Sequence, residues 1–278
     1  MLQPPPSVLS FAGHDPSGGA GLQADMLAIA SMGCHPLSIV TAITIQDTTG
    51  VNDVMPLDAE WVADQARAVL EDMPVHAFKM GLLGSIEIIA AIAEVISDYP
   101  HIPVVMDPIL TSGRGDELAS EAMIDAMCKL LLPQVTVLTP NSLEARRLAQ
   151  QEDDNHDIAL GSGLCAQRIL KMGCEYVLIT GAHENTIHVV NTLFDTNGIV
   201  RADEWERLEN TYHGSGCTLA SAIAASLANG LSIDESVLEA QDYTWRTLQA
   251  GFRPGMGQYI PNRLFWAQGS ENADSQKD

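Results

Sequence analysis

The chain has 278 residues, of which 46% are hydrophobic and only 5% aromatic. Its formal net charge of −22 leaves no basic surface to neutralise a phosphate backbone, so nucleic acids and anionic membranes are poor partners. The five cysteines are odd in number and show no C-x-x-C spacing, so neither a disulfide framework nor a zinc site is indicated. The first residues lack a basic segment followed by a long apolar run, so we expect a cytoplasmic protein.

Short strand-like runs alternate with helical patterns, which is the rhythm of β-α-β units. The pattern predicts strands over 7–12, 37–45, 75–80, 103–106, 135–138 and 176–180, and helices over 19–32, 58–72, 86–97, 119–131, from about 142, and over 163–172. Two extended stretches between 186 and 203 then flank an Asn-Gly hairpin signal, and two helices over 216–229 and 232–250 follow. The sequence therefore predicts an α/β fold with a mostly parallel central sheet and an antiparallel edge hairpin. We expect one domain over 1–268 and a polar, frayed tail over 269–278.

A glycine-rich loop follows the first predicted strand, from Gly13 to Gly21. Its glycines would let a ligand come close to the backbone, although a tight strand-to-helix turn explains the same composition. Gly19-Ala20 stands where a P-loop needs Lys-Ser or Lys-Thr, so this is not a Walker A motif. Asp25 lies in the helix that follows, either as part of a site or as a solvated charge.

Polar side chains lie at the ends of three later predicted strands. Gln46 offers a donor and an acceptor side by side, which complements an aminopyrimidine, although a turn-capping glutamine is equally compatible. Asp107 ends one strand, and Asn141 with Glu144 follows another. Carboxylate and amide oxygens are the hard donors that Mg²⁺ prefers, so these three residues are candidate metal ligands. Asn141 and Glu144 also have the spacing of a helix capping box, which is the alternative interpretation.

The run from His213 to Ile223 opens a long, alanine-rich helix with Gly214-Ser215-Gly216. Free backbone amides and the positive end of the helix dipole would converge there, which predicts a binding site for a phosphoryl group. Cys217 falls in the first turn, where we expect a lowered thiol pKa and a role as a base. Packing against the sheet is the alternative role for Cys217.

Three stretches together are similar to the hydroxymethylpyrimidine/phosphomethylpyrimidine kinases of thiamine biosynthesis, a branch of the ribokinase superfamily. They read AGHDPSGGAGLQAD over 12–25, TAITIQDTTGV over 41–51 and HGSGCTL over 213–219. The resemblance covers about 7–267 and implies a three-layer α/β/α sandwich. It also implies two successive phosphoryl transfers from MgATP, first to the alcohol of 4-amino-5-hydroxymethyl-2-methylpyrimidine and then to the resulting monophosphate.

The resemblance also implies roles for individual residues. The pyrimidine would contact Gln46, Asp25, Gly13 and Met80. The metal and the ATP phosphates would be organised by Asp107, Asn141 and Glu144, and the nucleotide would contact Thr180, Gly181 and His213. The anion hole would comprise Gly214, Ser215 and Gly216, with Cys217 in the place of the base. The chain departs from the family pattern at Tyr212 and Ser215, and the family is expected to form homodimers.

Three other functions are compatible with parts of the pattern. A pyridoxal or pyridoxine kinase on the same scaffold is the nearest alternative, since its substrate also carries a ring hydroxymethyl group. A non-catalytic pyrimidine-binding sensor would be indicated by loss of the anion hole or of the metal acids, and both are present. A dehydrogenase is disfavoured because the chain lacks an early G-x-G-x-x-G turn between a strand and a helix.

Overall fold

A computed structural model describes residues 4–112, 115–151 and 160–267. Nine strands form one sheet in the order β3-β2-β1-β4-β5-β6-β7-β8-β9. They are β1 (Ser7–His14), β2 (His35–Asp47), β3 (Gly50–Pro56), β4 (Ala77–Met80), β5 (Val104–Met106), β6 (Val137–Leu138), β7 (Tyr176–Ile179), β8 (His188–Asp195) and β9 (Gly198–Glu206). The six central strands run parallel, whereas β3 at one edge and β8 and β9 at the other are antiparallel.

Helices cover both faces of this sheet. They are α1 (Gly21–Ser31), α2 (Ala59–Asp72), α3 (Ile86–Ser97), α4 (Glu121–Ala126), α5 (Ser142–Ala149), α6 (Ser162–Leu170), α7 (Ser215–Ala228) and α8 (Ile233–Gln249). Successive residues of β1 face opposite ways: Val8 packs in the apolar cluster with α1, α7 and α8, and Leu9 packs with α2 to α6. The predicted three-layer α/β/α sandwich is therefore confirmed.

The structure adds one strand that the sequence pattern did not predict and shortens one helix. Strand β3 pairs with β2 across the turn at 48–49, so antiparallel strands close the sheet at both edges. The helix predicted over 119–131 is α-helical only over Glu121–Ala126 and continues as a π-helical turn and then a short 3₁₀ turn over Leu132–Gln134. Pro133 has no amide hydrogen, so an α-helix cannot continue through it.

Two predictions, about the C-terminal tail and about the number of domains, stay open. The tail predicted over 269–278 lies outside the described residues, and the single domain over 1–268 stays a prediction. Within the described ranges, no helix is long and apolar enough to cross a membrane.

The strand order places a crevice at the carboxyl ends of β1 and β4. The chain leaves β1 towards β2 and leaves the neighbouring β4 towards β5, in the opposite direction along the sheet. Ligands of open α/β sheets bind at such a switch point. The strand ends are level with one another, because the Gly81 amide donates to the Phe11 carbonyl and the Asp107 amide to the Met80 carbonyl, both at 2.9 Å. The loops after β1, β4 and β5 therefore open onto the same edge.

Candidate active site

Two glycine-rich segments meet at this edge, namely loop 13–21 and the turn that precedes α7. Gly214 has φ of 83°, a left-handed conformation that favours glycine, and a Cβ built there would overlap the carbonyl oxygen of Gly19. A Cβ on Gly19 would in turn overlap the ring of His213. The fold therefore brings two of the sequence's candidate clusters, almost 200 residues apart, into backbone contact.

Asp15 and His213 join the same two segments through their side chains. The Asp15 carboxylate accepts hydrogen bonds from the amides of Ser17 at 2.8 Å and Ala20 at 2.7 Å, and it lies 2.9 Å from His213 Nε2. Burial works to raise the pKa of Asp15, but the hydrogen bonds to His213, Ser17 and Ala20 outweigh it and hold the pKa below its usual range. His213, predicted to contact the nucleotide, thus uses Nε2 to hold the two loops together.

Helix α7 begins at this junction without a side-chain cap. Ser215 is its first residue, and the N-cap is Gly214, which has no side chain to accept a hydrogen bond from the first-turn amides. The carboxylate of Asp107 lies against this turn, since a Cβ on Gly216 would lie 3.0 Å from Asp107 Oδ2. An uncapped helix start can bind an anion through its amides and its dipole. The geometry is compatible with the predicted anion hole.

The expected thiolate at Cys217 is not supported by its surroundings. The residue is 6% exposed, and burial raises the pKa of its thiol to about 12, against the opposing effect of the Lys79 ammonium and with a further increase from Asp107. The prediction of a lowered pKa is therefore wrong. Removing the thiolate from water is more unfavourable than its attraction to the helix terminus and to Lys79 is favourable. The thiol is therefore protonated at neutral pH.

Asp107 and Glu144 form a buried pair of carboxyl groups. Both residues are 6% exposed. Burial raises the pKa of Asp107 to about 7, with a further increase from Glu144 that Lys79 partly opposes. Burial likewise raises the pKa of Glu144, although backbone hydrogen bonds lower it. Two acids that disfavour each other's charge are a place where a cation would be stabilised.

Asn141 and Glu144 form the capping box that the sequence analysis gave as their alternative role. Asn141 Oδ1 accepts from the amides of Leu143 and Glu144, both at 2.9 Å. Glu144 Oε2 accepts from the Asn141 amide at 3.0 Å, and Oε1 accepts from the Leu110 amide at 3.1 Å. Both side chains thus have structural partners, and Asp107 is the more available donor for a metal ion. In the described part of the chain, no three His, Cys, Asp or Glu side chains group as a metal site by themselves.

Asp25 lies beneath the site, where both its oxygens have partners. They accept from the hydroxyls of Ser10 at 2.6 Å and Ser221 at 2.8 Å, and the Lys79 ammonium lies 2.8 Å from Oδ1. The side chains of Asp25 and Lys79 are both fully buried. Burial lowers the pKa of Lys79, but the attraction of Asp25 outweighs it and the net pKa is raised. The Asp25 carboxylate thus holds a buried cation, and its predicted contact with the pyrimidine stays a prediction.

The residues predicted to hold the pyrimidine are only partly exposed. Met80 is completely buried in the apolar cluster between the sheet and α2 and α3, and its predicted contact with the pyrimidine stays a prediction. Gln46 is half-buried near the end of β2 and pairs with Val51 of β3. Gly13 ends the buried part of β1, and a Cβ there would lie 3.1 Å from Leu82.

A cavity of about 420 Å³ opens at the turn that follows Gln46 in the chain. The turn over 47–49 forms one wall and residues 254–256 the other, with Ser17 of loop 13–21 at its end. The two walls are held together because the Gly257 amide donates to Thr48 Oγ1 at 3.1 Å and the Gln258 amide to the Thr48 carbonyl at 2.8 Å. This cavity joins the predicted substrate side to the glycine loop.

Thr180 and Gly181, predicted to contact the nucleotide, follow β7 at the same edge of the sheet. Thr180 is bound through its backbone to the start of α5, since its carbonyl accepts from the Ser142 amide at 3.0 Å. The Gly181 amide donates to Asn191 Oδ1 at 3.1 Å. Gly181 also lines a cavity of about 290 Å³ between α5, α6 and β8, next to the ion pair of Arg146 and Glu184.

Two functional candidates escaped the sequence analysis, namely Lys79 and Arg263. Lys79 had a detectable signal, because a charged residue within the apolar run from Ala77 to Met80 needs a buried partner. Arg263 had none, since it follows the last long helix in a segment without a regular pattern. The partners of both residues are identified only when the fold brings distant segments together.

Comparison with known proteins decides the family. Residues 15–262 match the family model described as phosphomethylpyrimidine kinase. The chain belongs to this family. It is 37% identical over 258 residues to the hydroxymethylpyrimidine/phosphomethylpyrimidine kinase of Streptomyces coelicolor, covering 91% of this chain and 92% of the relative. The corresponding kinase of Mycobacterium bovis is 36% identical over 263 residues, 94% of each chain.

Solved structures place phosphomethylpyrimidine kinases and pyridoxal kinases on one scaffold. The phosphomethylpyrimidine kinase of Clostridium difficile matches with a TM-score of 0.73 and 34% identity, over 86% of this chain and 97% of that one. The pyridoxal kinase of Staphylococcus aureus in complex with ADP matches with a TM-score of 0.84 and 29% identity, over 96% of both chains. The predicted family and ribokinase-like fold are confirmed.

Proposed function

We propose that this protein phosphorylates 4-amino-5-hydroxymethyl-2-methylpyrimidine with ATP, and then phosphorylates the monophosphate to the diphosphate used for thiamine. The observation that carries the proposal is the match of residues 15–262 to the phosphomethylpyrimidine kinase family. The uncapped start of α7 beside Asp107 supports it, because a phosphoryl-transfer enzyme needs a rigid anion site at this place.

Phosphoryl transfer requires alignment and charge stabilisation more than covalent chemistry. The amides of Ser215, Gly216 and Cys217 would bind the oxygens of the transferring group. The thiol of Cys217 is protonated at neutral pH, so it can line the site but is not a ready base. The proton of the alcohol would therefore pass to a phosphoryl oxygen or to water as the new P–O bond forms and the bond to ADP breaks.

The buried acids fit a magnesium ion. Burial raises the pKa of both Asp107 and Glu144, and the Glu144 charge raises that of Asp107 further, so a divalent cation would relieve an unfavourable concentration of negative charge. Bound Mg²⁺ would supply positive charge to the ATP phosphates. Asp107 would hold it most directly, because both Glu144 oxygens already accept backbone hydrogen bonds. Glu144 would act by orienting the loop at Leu110 and by its charge.

Gln46 is our proposed reader of the aminopyrimidine. Gln46 is half-buried and directly precedes the turn over 47–49, which lines a cavity together with residues 254–256, and this position supports the role. A paired donor and acceptor at a site reject ligands that cannot match them, because the buried amide groups are then left without partners. Pyridoxal offers no ring nitrogen beside an exocyclic amine, so it should depend less on the Gln46 amide.

The test is a coupled assay of ADP formation with the free pyrimidine, its monophosphate and pyridoxal as acceptors. We expect Gln46→Leu to lower kcat/KM for the pyrimidine by about 10- to 1000-fold, with a smaller loss for pyridoxal. Gln65→Leu makes the same chemical change at a half-buried position of α2 and serves as the control. Equal losses on pyrimidine and pyridoxal would refute the role of Gln46. Activity with pyridoxal alone in the unmodified protein would refute the proposed function.

A further inference from the structure

Arg263 is buried beneath the junction of the two glycine segments. It is 2% exposed, although it lies in the segment that follows α8. Its own carbonyl accepts a hydrogen bond from the Tyr243 hydroxyl at 2.9 Å, and the preceding Asn262 donates its amide to the Thr247 carbonyl at 2.9 Å. Helix α8 thus fixes the backbone from which the Arg263 side chain enters the interior.

The guanidinium of Arg263 connects three parts of the proposed site. Nε donates to Thr218 Oγ1 at 2.9 Å, and Nη2 donates to the carbonyls of Gly19 and, at 3.3 Å, Gly214. A weaker contact of 3.5 Å joins Nη1 to the Gly18 carbonyl. The side chain therefore spans loop 13–21, the turn at Gly214 and the first turn of α7.

All of these acceptors are neutral oxygens. Among the described residues, no carboxylate forms an ion pair with Arg263, although the guanidinium retains its charge at any physiological pH. Burial lowers the pKa of Arg263, and Asp25 and Asp15 oppose this by attraction without pairing with the guanidinium. A buried charge without a direct ion-pair partner is unfavourable, and a protein tolerates it where another interaction compensates. The anion expected at the α7 N-terminus is in position to provide that compensation, since Thr218 lies in the same helical turn as Gly216 and Cys217.

We propose that Arg263 is a positioning residue for phosphoryl transfer. It holds loop 13–21 against Gly214, and its unpaired charge is complemented by the phosphoryl group at the start of α7. The proposal rests on the proposed kinase function, because that function supplies the anion. A purely structural role of Arg263 would require its hydrogen bonds but not its charge. Variants that change the charge and the shape of the side chain independently therefore distinguish the structural role from the electrostatic one.

The experiment compares Arg263→Met, Arg263→Lys and Arg263→Gln in the full chain, with Arg67→Met on the exposed face of α2 as the control. Three quantities are measured: the melting temperature, kcat and KM with ATP and the pyrimidine, and the ratio of the ADP Kd to the ATP Kd without acceptor. We expect Arg263→Met to lower kcat by about 100-fold, in the range found when one stabilising donor is removed from a transition state. The ratio of dissociation constants should fall by about 10-fold, and Arg263→Lys should retain about 10-fold more kcat than Arg263→Gln.

Two outcomes would overturn the proposal. One is a folded Arg263→Met protein whose kcat stays within about threefold of the unmodified enzyme. The other is an equal kcat for the Lys and Gln variants, which would show that the charge has no role. This second comparison also tests the proposal if Arg263→Met does not fold. If the unmodified protein phosphorylates no acceptor, the proposed function fails, and the ratio of ADP and ATP affinities still tests Arg263 independently.

Discussion

Asp107 is a residue of the candidate site whose buried carboxyl group lowers the stability of the folded protein. Its carboxyl group is buried next to Glu144 and has a pKa of about 7, far above the value of about 3.9 for an exposed aspartate. Ionising Asp107 in the folded protein is therefore unfavourable. Such residues persist where their charge serves a function, and the anion site at Gly216 lies directly beside this carboxylate.

We expect Asp107→Asn to stabilise the metal-free protein while lowering its activity. Between about pH 4 and 7 the unfolded chain has lost a proton that the folded one retains, so the penalty of Asp107 grows across this range and is constant above it. The gain in unfolding free energy should follow the same curve and reach about 1–4 kcal/mol above pH 7. Urea unfolding in the presence of a chelator at several pH values measures it. Asp64→Asn, on the exposed face of α2, is the matched control.

The activity of the same variant completes this test. Because Asn cannot neutralise a cation, kcat should fall by about 100-fold or more and should not recover with added Mg²⁺. A variant that is destabilised at pH 8, or one that keeps full activity, would contradict the account of Asp107 as a strained functional acid.

Cys217 provides a second prediction at this scale. Because burial raises its pKa to about 12, we expect iodoacetamide to modify Cys217 about 1000-fold more slowly than a free thiol at pH 7.5. Peptide mass spectrometry of the folded and the denatured chain gives the two rates. Cys217→Ser should change either phosphorylation rate by less than about 10-fold. Rapid alkylation, or a loss of about 100-fold confined to the first step, would restore the original hypothesis of a thiolate base.

The sequence predicted where the residues of the candidate site lie better than it predicted their protonation and their buried partners. The glycines at 13–21 and 214–216 predict close approaches between backbone segments, and these approaches occur in the structure. The pKa of Cys217 could not be predicted from its place in a helix, because desolvation depends on what the rest of the chain packs above it. The same limit applies to Lys79 and Arg263, whose partners lie between about 50 and 250 residues away.

At the scale of elements, the Asp25–Lys79 pair fastens four parts of the fold beneath the site. Asp25 belongs to α1, Lys79 to β4, and the two serines that donate to Asp25 belong to β1 and α7. These elements carry loop 13–21 and the proposed phosphoryl site at the start of α7. A change at the pair should therefore reach the site through the positions of whole elements.

We expect Lys79→Met to destabilise the protein by about 3–5 kcal/mol, because Asp25 would keep a buried charge without its partner. The double variant Lys79→Met, Asp25→Asn should recover about 1–3 kcal/mol of that loss. Urea unfolding at neutral pH measures both. Lys129→Met breaks an exposed i, i+4 pair with Asp125 and should cost less than about 0.5 kcal/mol. A double variant no more stable than Lys79→Met would show that the pair's charges are not the cause.

The arrangement of elements was largely predictable, and the exceptions have physical reasons. Residues 7–12 form a continuous buried run, and the helix over 86–97 buries one face, so both carry a strong hydrophobic signal in the sequence. Strand β3 is exposed or half-buried at every position and lies at the edge of the sheet, so its sequence carries no alternating signal. Its pairing depends on β2, which the local pattern of residues 50–56 cannot reveal.

The whole molecule carries a net charge of −22 yet is proposed to bind an anionic nucleotide. The long-range field of such a protein repels MgATP, whereas the α7 N-terminus and Arg263 attract it at short range. The predicted homodimer, which light scattering would decide, would add a second copy of the same repulsive field. Salt screens the distant charges more than the buried ones, so the two contributions can be separated.

We therefore expect the KM for MgATP to fall as ionic strength rises from about 0.01 M to about 0.15 M, where the Debye length shortens from about 30 Å to about 8 Å. A decrease of about two- to fivefold is expected, because screening removes the repulsion by distant carboxylates and leaves the buried anion site almost unchanged. The KM for the uncharged pyrimidine should stay constant and is the internal control. Repeating the series with potassium and tetramethylammonium chloride separates screening from any requirement for a particular cation. A KM for MgATP that rises with both salts would show that local positive groups, rather than the net charge, dominate the approach of the nucleotide.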